Sequence, residues 1–183
     1  MDKGADSYRR WLEGDDGALA DLVTACRPGL RAYLYGMVHD WDLADDLTQE
    51  TFVKLCLKKP RDKGTASFKT WLYTIGRRTA LDYLRRQKHT REVPLEDCFS
   101  LAGDDTPEAA VLRAQTTERL FAAMETLQPQ HRQLLYLTYF ETFTPAQAAK
   151  ILRKSSRSVS SQLYRAKEAL RRALGEETFF DED

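Results

Sequence analysis

The chain has 183 residues, 42% of them hydrophobic and 31% charged, which is enough apolar material for a packed core and argues against disorder along its whole length. Its 28 basic and 28 acidic residues cancel, so a uniformly basic nucleic-acid coat is excluded, whereas charges sorted into blocks of opposite sign are not. Three dispersed cysteines, Cys26, Cys56 and Cys98, have no metal-ligand spacing, so no structural zinc or other metal site is expected, and a sparse, odd set suits a reducing cytosol.

The N-terminal stretch MDKGADSYRRWLEGDDGALADL is charged throughout and lacks the apolar core of a signal peptide. No run approaches the ~18 apolar residues that a membrane span needs. A soluble, cytoplasmic protein without membrane insertion is the expectation.

Apolar residues recur at helical rather than alternating spacing, as in Phe68, Trp71, Leu72 and Ile75, so the chain reads as all-α. A first helical block covers Ser7 to His89. Pro28 falls inside it and predicts a kink or a break. His39-Asp40-Trp41-Asp42 interrupts the pattern, with Asp42 as the N-cap of a helix from Leu43 to Lys58. Lys59-Pro60-Arg61-Asp62-Lys63-Gly64 interrupts it again, after which Thr65 or Ser67 can cap a long helix to His89. Residues 91–107 contain Pro, Gly and Asp without periodicity and read as a linker. Its flank is acidic, with only acids among the charged residues from Glu92 to Glu108. The second block occupies 108–175, divided at Gln128-Pro129. Thr144-Pro145 is a start signal, with Thr as cap and Pro in the first turn, and Ser155 or Ser156 caps the last helix. An acidic tail, 176–183, follows. Two small helical domains, 1–90 and 108–175, joined by an acidic linker, are therefore predicted.

Two segments carry chemistry. Thr144 to Leu152, a four-residue connection and a basic helix from Arg157 to Leu174 have the outline of a helix-turn-helix. Arg157, Ser158, Ser160, Ser161, Gln162 and Arg165 lie near the outer, N-terminal part of that second helix. Gln and Arg can read base edges, and Ser and Arg can bind phosphate. The helix from Phe68 carries aromatics early and bases late, a combination that can stack unpaired bases and hold their backbone. Trp71 and Tyr73 lie ~200° apart around a helix, so at least one of them is a candidate for ligand contact. The preceding helix differs: Leu43 and Leu47 mark its inward stripe, while Asp45, Asp46, Gln49 and Glu50 point elsewhere. An acidic surface is poorly suited to DNA and fits a basic protein partner.

Together, DLADDLTQETFVKL, SFKTWLYTIGRRTALDYLRR, LQPQHRQLLYLTYFETFTPAQAAKIL and SVSSQLYRAKEALRRAL resemble, in that order, a bacterial RNA polymerase sigma factor of the extracytoplasmic-function group. The resemblance implies core RNA polymerase, promoter DNA and an anti-sigma factor as partners, and no cofactor. It makes Asp45, Asp46, Gln49 and Glu50 the polymerase-binding residues. Lys69, Trp71, Tyr73, Arg77, Arg78, Arg85 and Arg86 would recognise and melt the −10 element. Arg157, Ser158, Ser160, Ser161, Gln162 and Arg165 would read duplex −35 DNA. Departures include Arg78 where the family often has Asn, Arg153 for a usual Gly and Lys154 for a usual apolar residue. His39, His89 and His131 are scattered and no nucleophile–base motif exists, so no catalytic residue is assigned and an enzyme is not expected. The competing function is a helix-turn-helix regulator that binds duplex DNA without polymerase.

Overall fold

Short polar signals set the helix ends in the computed structural model, which describes residues 3–59, 67–88 and 118–175; all regular structure among these is helical. Helix α1 (Lys3–Leu12) gives way at Gly14, whose φ of +103° suits glycine. Asp15 then caps α2 (Asp16–Val38), its carboxylate accepting the Ala18 N–H and pairing with Arg10 at 2.6 Å. This division was not apparent in the sequence, where no interruption is read between Ser7 and Pro28. At Pro28 α2 continues without a break. Both Pro28 and Thr24, whose carbonyl loses its amide partner there, are exposed, so water can satisfy the freed group.

His39 leaves α2 in a left-handed conformation, φ +56°, and the chain turns at once into α3 (Trp41–Lys58). The cap is Asp40 rather than the expected Asp42, its carboxylate accepting the Leu43 N–H at 2.9 Å. Asp42 falls in the first turn, where its charge favours the helix dipole. Ser67 opens α4 (Phe68–Lys88), its hydroxyl accepting the Thr70 N–H; Thr65 lies outside the described residues.

These four helices bury Leu22, Leu30, Leu34, Leu55 and Leu72 completely. Gly76 lets α4 approach α2 closely, because a Cβ there would lie 2.9 Å from Leu30 Cδ1. The second half comprises α5 (118–125), α6 (Pro129–Leu135), a π-helical turn (Tyr136–Phe140), α7 (Pro145–Leu152) and α8 (Ser156–Leu174). Helix α6 starts at Pro129, as the sequence predicts. A smaller core of Met124, Leu127, Leu135, Ala166 and Leu170 binds α5 and α6 to α8.

The main core does not stop at the boundary between the halves. Leu134, Leu137, Phe143, Ile151 and Val159 join it from the second half, as α6 packs on α2 and α7 on α4. The predicted linker, 91–107, and the tail, 176–183, lie outside the described residues.

Candidate nucleic-acid interface

The helix-turn-helix is built from local signals. Thr144 and Gln147 form a reciprocal capping box at the start of α7: Gln147 N–H donates to the Thr144 hydroxyl, and Thr144 N–H to the Gln147 side-chain oxygen. Arg153 ends α7 with φ +54°, a conformation glycine adopts more easily. Ser155 caps α8 by accepting the Ser158 N–H. Val159, Ala166 and Leu170 turn inward. Arg157, Ser160, Ser161 and Arg165 are exposed, whereas Ser158 and Gln162 are half-buried on the flank.

Lys154 fixes that flank. Its ammonium donates to the Gln130 side-chain oxygen at 2.8 Å and to that of Gln162 at 2.7 Å, while the Gln162 amide donates to Ser158 Oγ at 2.8 Å. Gln162 therefore ties the turn to its helix in this conformation. Tyr164, 69% exposed, lies on the same face as Arg157, Ser160 and Ser161. The spacing 157–160–161–164 was the sequence signal for Tyr164.

Helix α4 splits its candidates between two faces. Trp71, Arg78, Arg85 and Arg86 follow one another on an outer face, Trp71 half-buried and the arginines exposed. Asp82 lies between two of them, 4.0 Å from Arg78 and 3.3 Å from Arg85. Lys69, Tyr73 and Arg77 occupy the opposite face, at intervals of four; Lys69 and Tyr73 meet Glu141 and Phe143 of the second half, whereas Arg77 lies near Tyr33 of α2. Tyr73 is 1% exposed, its ring 5.4 Å from that of Tyr33 and 5.1 Å from that of Phe143. Burial and the nearby Glu141 carboxylate push its phenol far above the ordinary tyrosine range. Burial raises the Tyr33 phenol too, with Arg77 opposing. Of the two aromatics, Tyr73 is thus the deeply buried one.

The outward stripe of α3 holds Asp42, Asp46, Gln49 and Glu50, all exposed, and continues into Val53 and Leu57, the latter 79% exposed. Glu50 pairs with Lys54 at 2.7 Å. Asp45 does not share the stripe: it forms ion pairs with Arg27 and Arg31, each at 3.1 Å, and so braces α3 against α2. The two apolar residues were missed because only the acids were weighed, although i, i+4, i+7, i+11 spacing from Asp46 reaches both.

At the far end of the boundary between the halves, His39 accepts from Arg132 Nη2 at 2.9 Å through Nε2, and its Nδ1 lies 3.5 Å from the Glu125 carboxylate. Arg132 is buried and pairs with Glu125 at 2.6 Å. An acceptor at Nε2 requires neutral imidazole, with its proton on Nδ1. Burial first and Arg132 second lower the His39 pKa, against the opposing pull of Glu125. Because the unfolded chain binds this proton more readily, the stabilisation is complete above the ordinary histidine range and is lost as pH falls through the depressed folded pKa. Thermal melts between about pH 7 and about pH 5 are expected to fall further for the natural protein than for His39→Asn, which keeps the left-handed turn without the titration. Equal slopes would refute this.

Among the described residues, no group of His, Cys, Asp and Glu could hold a metal ion, and no helix is long and apolar enough to cross a membrane.

A helix-turn-helix with a polar outer face, beside a second helix that presents aromatic and basic side chains, is the architecture of a helical DNA-binding protein. Family models for sigma-70 region 2 and sigma-70 region 4 match residues 22–90 and 117–170. RNA polymerase sigma factor YlaC of Bacillus subtilis is 31% identical over 159 residues, covering 86% of this chain and 92% of that protein. The extracytoplasmic-function sigma factor SigX of the same organism is 27% identical, covering 84% and 83%. Among solved structures, sigma factor RpoE of Bartonella quintana with the anti-sigma factor NepR has a TM-score of 0.69 at 22% identity, covering 85% of this chain and 96% of that one. CnrH with the cytosolic domain of CnrY has a TM-score of 0.65 at 20% identity, covering 97% and 100%. The chain belongs to the sigma-70 family of RNA polymerase sigma factors, in its extracytoplasmic-function group. Its function is to direct promoter-specific initiation of transcription.

Proposed function

We propose that the work is divided among three helices. The outward stripe of α3 docks on core RNA polymerase through Asp46, Gln49, Glu50, Val53 and Leu57. The α4 face of Trp71, Arg78, Arg85 and Arg86 engages the −10 element as it opens, and α8 reads the −35 element through Arg157, Ser160, Ser161, Tyr164 and Arg165. Residues 1–90 and 108–175 act as the two functional domains. The α3 stripe is the observation that carries this reading. A regulator acting on duplex DNA alone has no use for an acidic, partly apolar face beside two basic ones. Catalysis belongs to the polymerase, and the protein acts in the cytoplasm where the polymerase is. An anti-sigma factor is a partner by analogy with RpoE and CnrH, whose solved structures are such complexes.

Run-off transcription with purified core polymerase tests this directly, on a promoter selected from random DNA by the reconstituted holoenzyme. The expected result is a transcript only when both proteins are present. Arg165→Ala is expected to weaken binding to the selected −35 duplex by ~1–3 kcal/mol if it contacts a base. Strong sequence-specific binding by the free protein, unaffected by core enzyme, would favour the stand-alone regulator instead.

A further inference from the structure

The connection between α7 and α8 carries a charge where such turns usually carry an apolar side chain. Helix α7 closes with two backbone bonds that enclose left-handed Arg153: its own N–H reaches the Lys150 carbonyl at 3.3 Å, and the Lys154 N–H reaches the Ala149 carbonyl at 3.0 Å. In this arrangement the second residue past the helix commonly packs an apolar group against the helix it ends. Lys154 holds that place and is half-buried. Its ammonium joins two other helices, donating to Gln130 in the first turn of α6 and to Gln162 on α8.

Both ends of the Gln162 side chain are thereby turned to protein. Its oxygen faces the Lys154 ammonium at 2.7 Å, and its amide nitrogen donates to Ser158 Oγ at 2.8 Å, one turn back on the same helix. A glutamine reads adenine by presenting that oxygen and that nitrogen together to one base edge, the oxygen to the N6 amino group and the nitrogen to N7. Neither is so presented here. The lone pair left on the oxygen lies beside a positive charge, where a second donor such as the N6 amino group is disfavoured. The bond from Lys154 is charge-assisted, hence stronger than one between neutral amides. It spans eight residues across the turn, so releasing Gln162 also costs the turn its tie to α8. Arg157, Ser160, Ser161 and Arg165 have no such restraint from the turn lysine and stand exposed.

We infer that Lys154 is a positioning residue that sets −35 specificity by subtraction: it holds the Gln162 amide against the turn, so that α8 reads duplex DNA without an adenine contact from Gln162. This rests on the reading of α8 as the −35 helix and adds which side chain that helix withholds and what withholds it.

Base preference tests the assignment. Duplexes carrying each of the four base pairs in turn at every position of the selected −35 site compete for the reconstituted holoenzyme. Ratios of affinity are compared, so a uniform loss from the missing lysine charge cancels. Lys154→Met keeps an unbranched stem and removes the ammonium. It should create a preference of about tenfold for adenine at one position. Adding Gln162→Ala to that variant should abolish the new preference, whereas Gln162→Ala alone should leave the base preferences of the natural protein as they were. Ser158→Ala frees the other end of the amide and should give the same preference more weakly; it carries the test should circular dichroism show that Lys154→Met does not fold. A change of affinity uniform across all duplexes would mark a purely structural lysine and overturn the inference. So would a preference of the natural protein that Gln162→Ala erases. In either case Arg157→Ala and Arg165→Ala should still weaken binding to the selected duplex; if they do not, the assignment of α8 to the −35 element fails, and the inference with it.

Discussion

Tyr73→Ala is expected to destabilise the protein by roughly 3–5 kcal/mol, the range for truncating a large buried aromatic to alanine. The ring is 1% exposed and wedged between Tyr33 and Phe143. Its removal opens a void at the junction of α2, α4 and the turn before α7, where close-packed neighbours cannot collapse fully. Trp71, two residues earlier, is half-buried on the outer face, so Trp71→Ala should cost clearly less stability. Its effect should fall on promoter opening, by ~1–3 kcal/mol per lost base stack. Urea denaturation separates stability from function here, and permanganate reactivity of the −10 region reports opening. A Tyr73→Ala protein as stable as the natural one, or a Trp71→Ala protein that melts promoters normally, would contradict the placement of these two rings.

That pair shows where a sequence can and cannot be read. Helical periodicity places Trp71 and Tyr73 on different faces, but it cannot say which face another part of the chain will cover. Lys69, Tyr73 and Arg77 recur every four residues and could have been separated from Trp71, Arg78 and Arg85 on spacing alone. What covers Lys69 and Tyr73 could not, because Glu141 and Phe143 lie about seventy residues away and meet α4 only through tertiary packing. Starts with a chemical signature were legible: Gln128-Pro129, Thr144-Pro145 and Ser155 each begin a helix in the structure. Asp40 and Asp42 were not separable by type, since either could cap. The choice fell to His39, whose left-handed turn ends α2 one residue before Asp40. The break that Pro28 could have made does not occur, since the carbonyl it strands belongs to exposed Thr24. Arg153 and Lys154, departures from the family pattern, have evident work: one takes up a left-handed cap, and the other anchors Gln130 and Gln162.

The α3 stripe supports an expected result as large as the first. Leu57 exposes 79% of its surface and Val53 56%, apolar area that the proposed docking on core polymerase would cover. Leu57→Asp should therefore weaken binding to core polymerase by about 2 kcal/mol or more if it is a central anchor. Folding should change by no more than about 0.5 kcal/mol, as for other exposed positions. Reversing Asp46 and Glu50 to lysine should also weaken binding, but in a different way. Exposed charges steer encounter, so the double variant should associate more slowly and lose its salt dependence, whereas the Leu57 variant should dissociate faster at any salt concentration. Asp45→Asn is the control. Its carboxylate is held by Arg27 and Arg31 inside the first half, so the substitution should lower the melting temperature while docking persists in whatever fraction stays folded. Surface-captured core polymerase, with the variants flowed over it at two salt concentrations, measures all three. If Asp45→Asn proves the most damaging to docking and Leu57→Asp is neutral, the partner does not sit on this stripe.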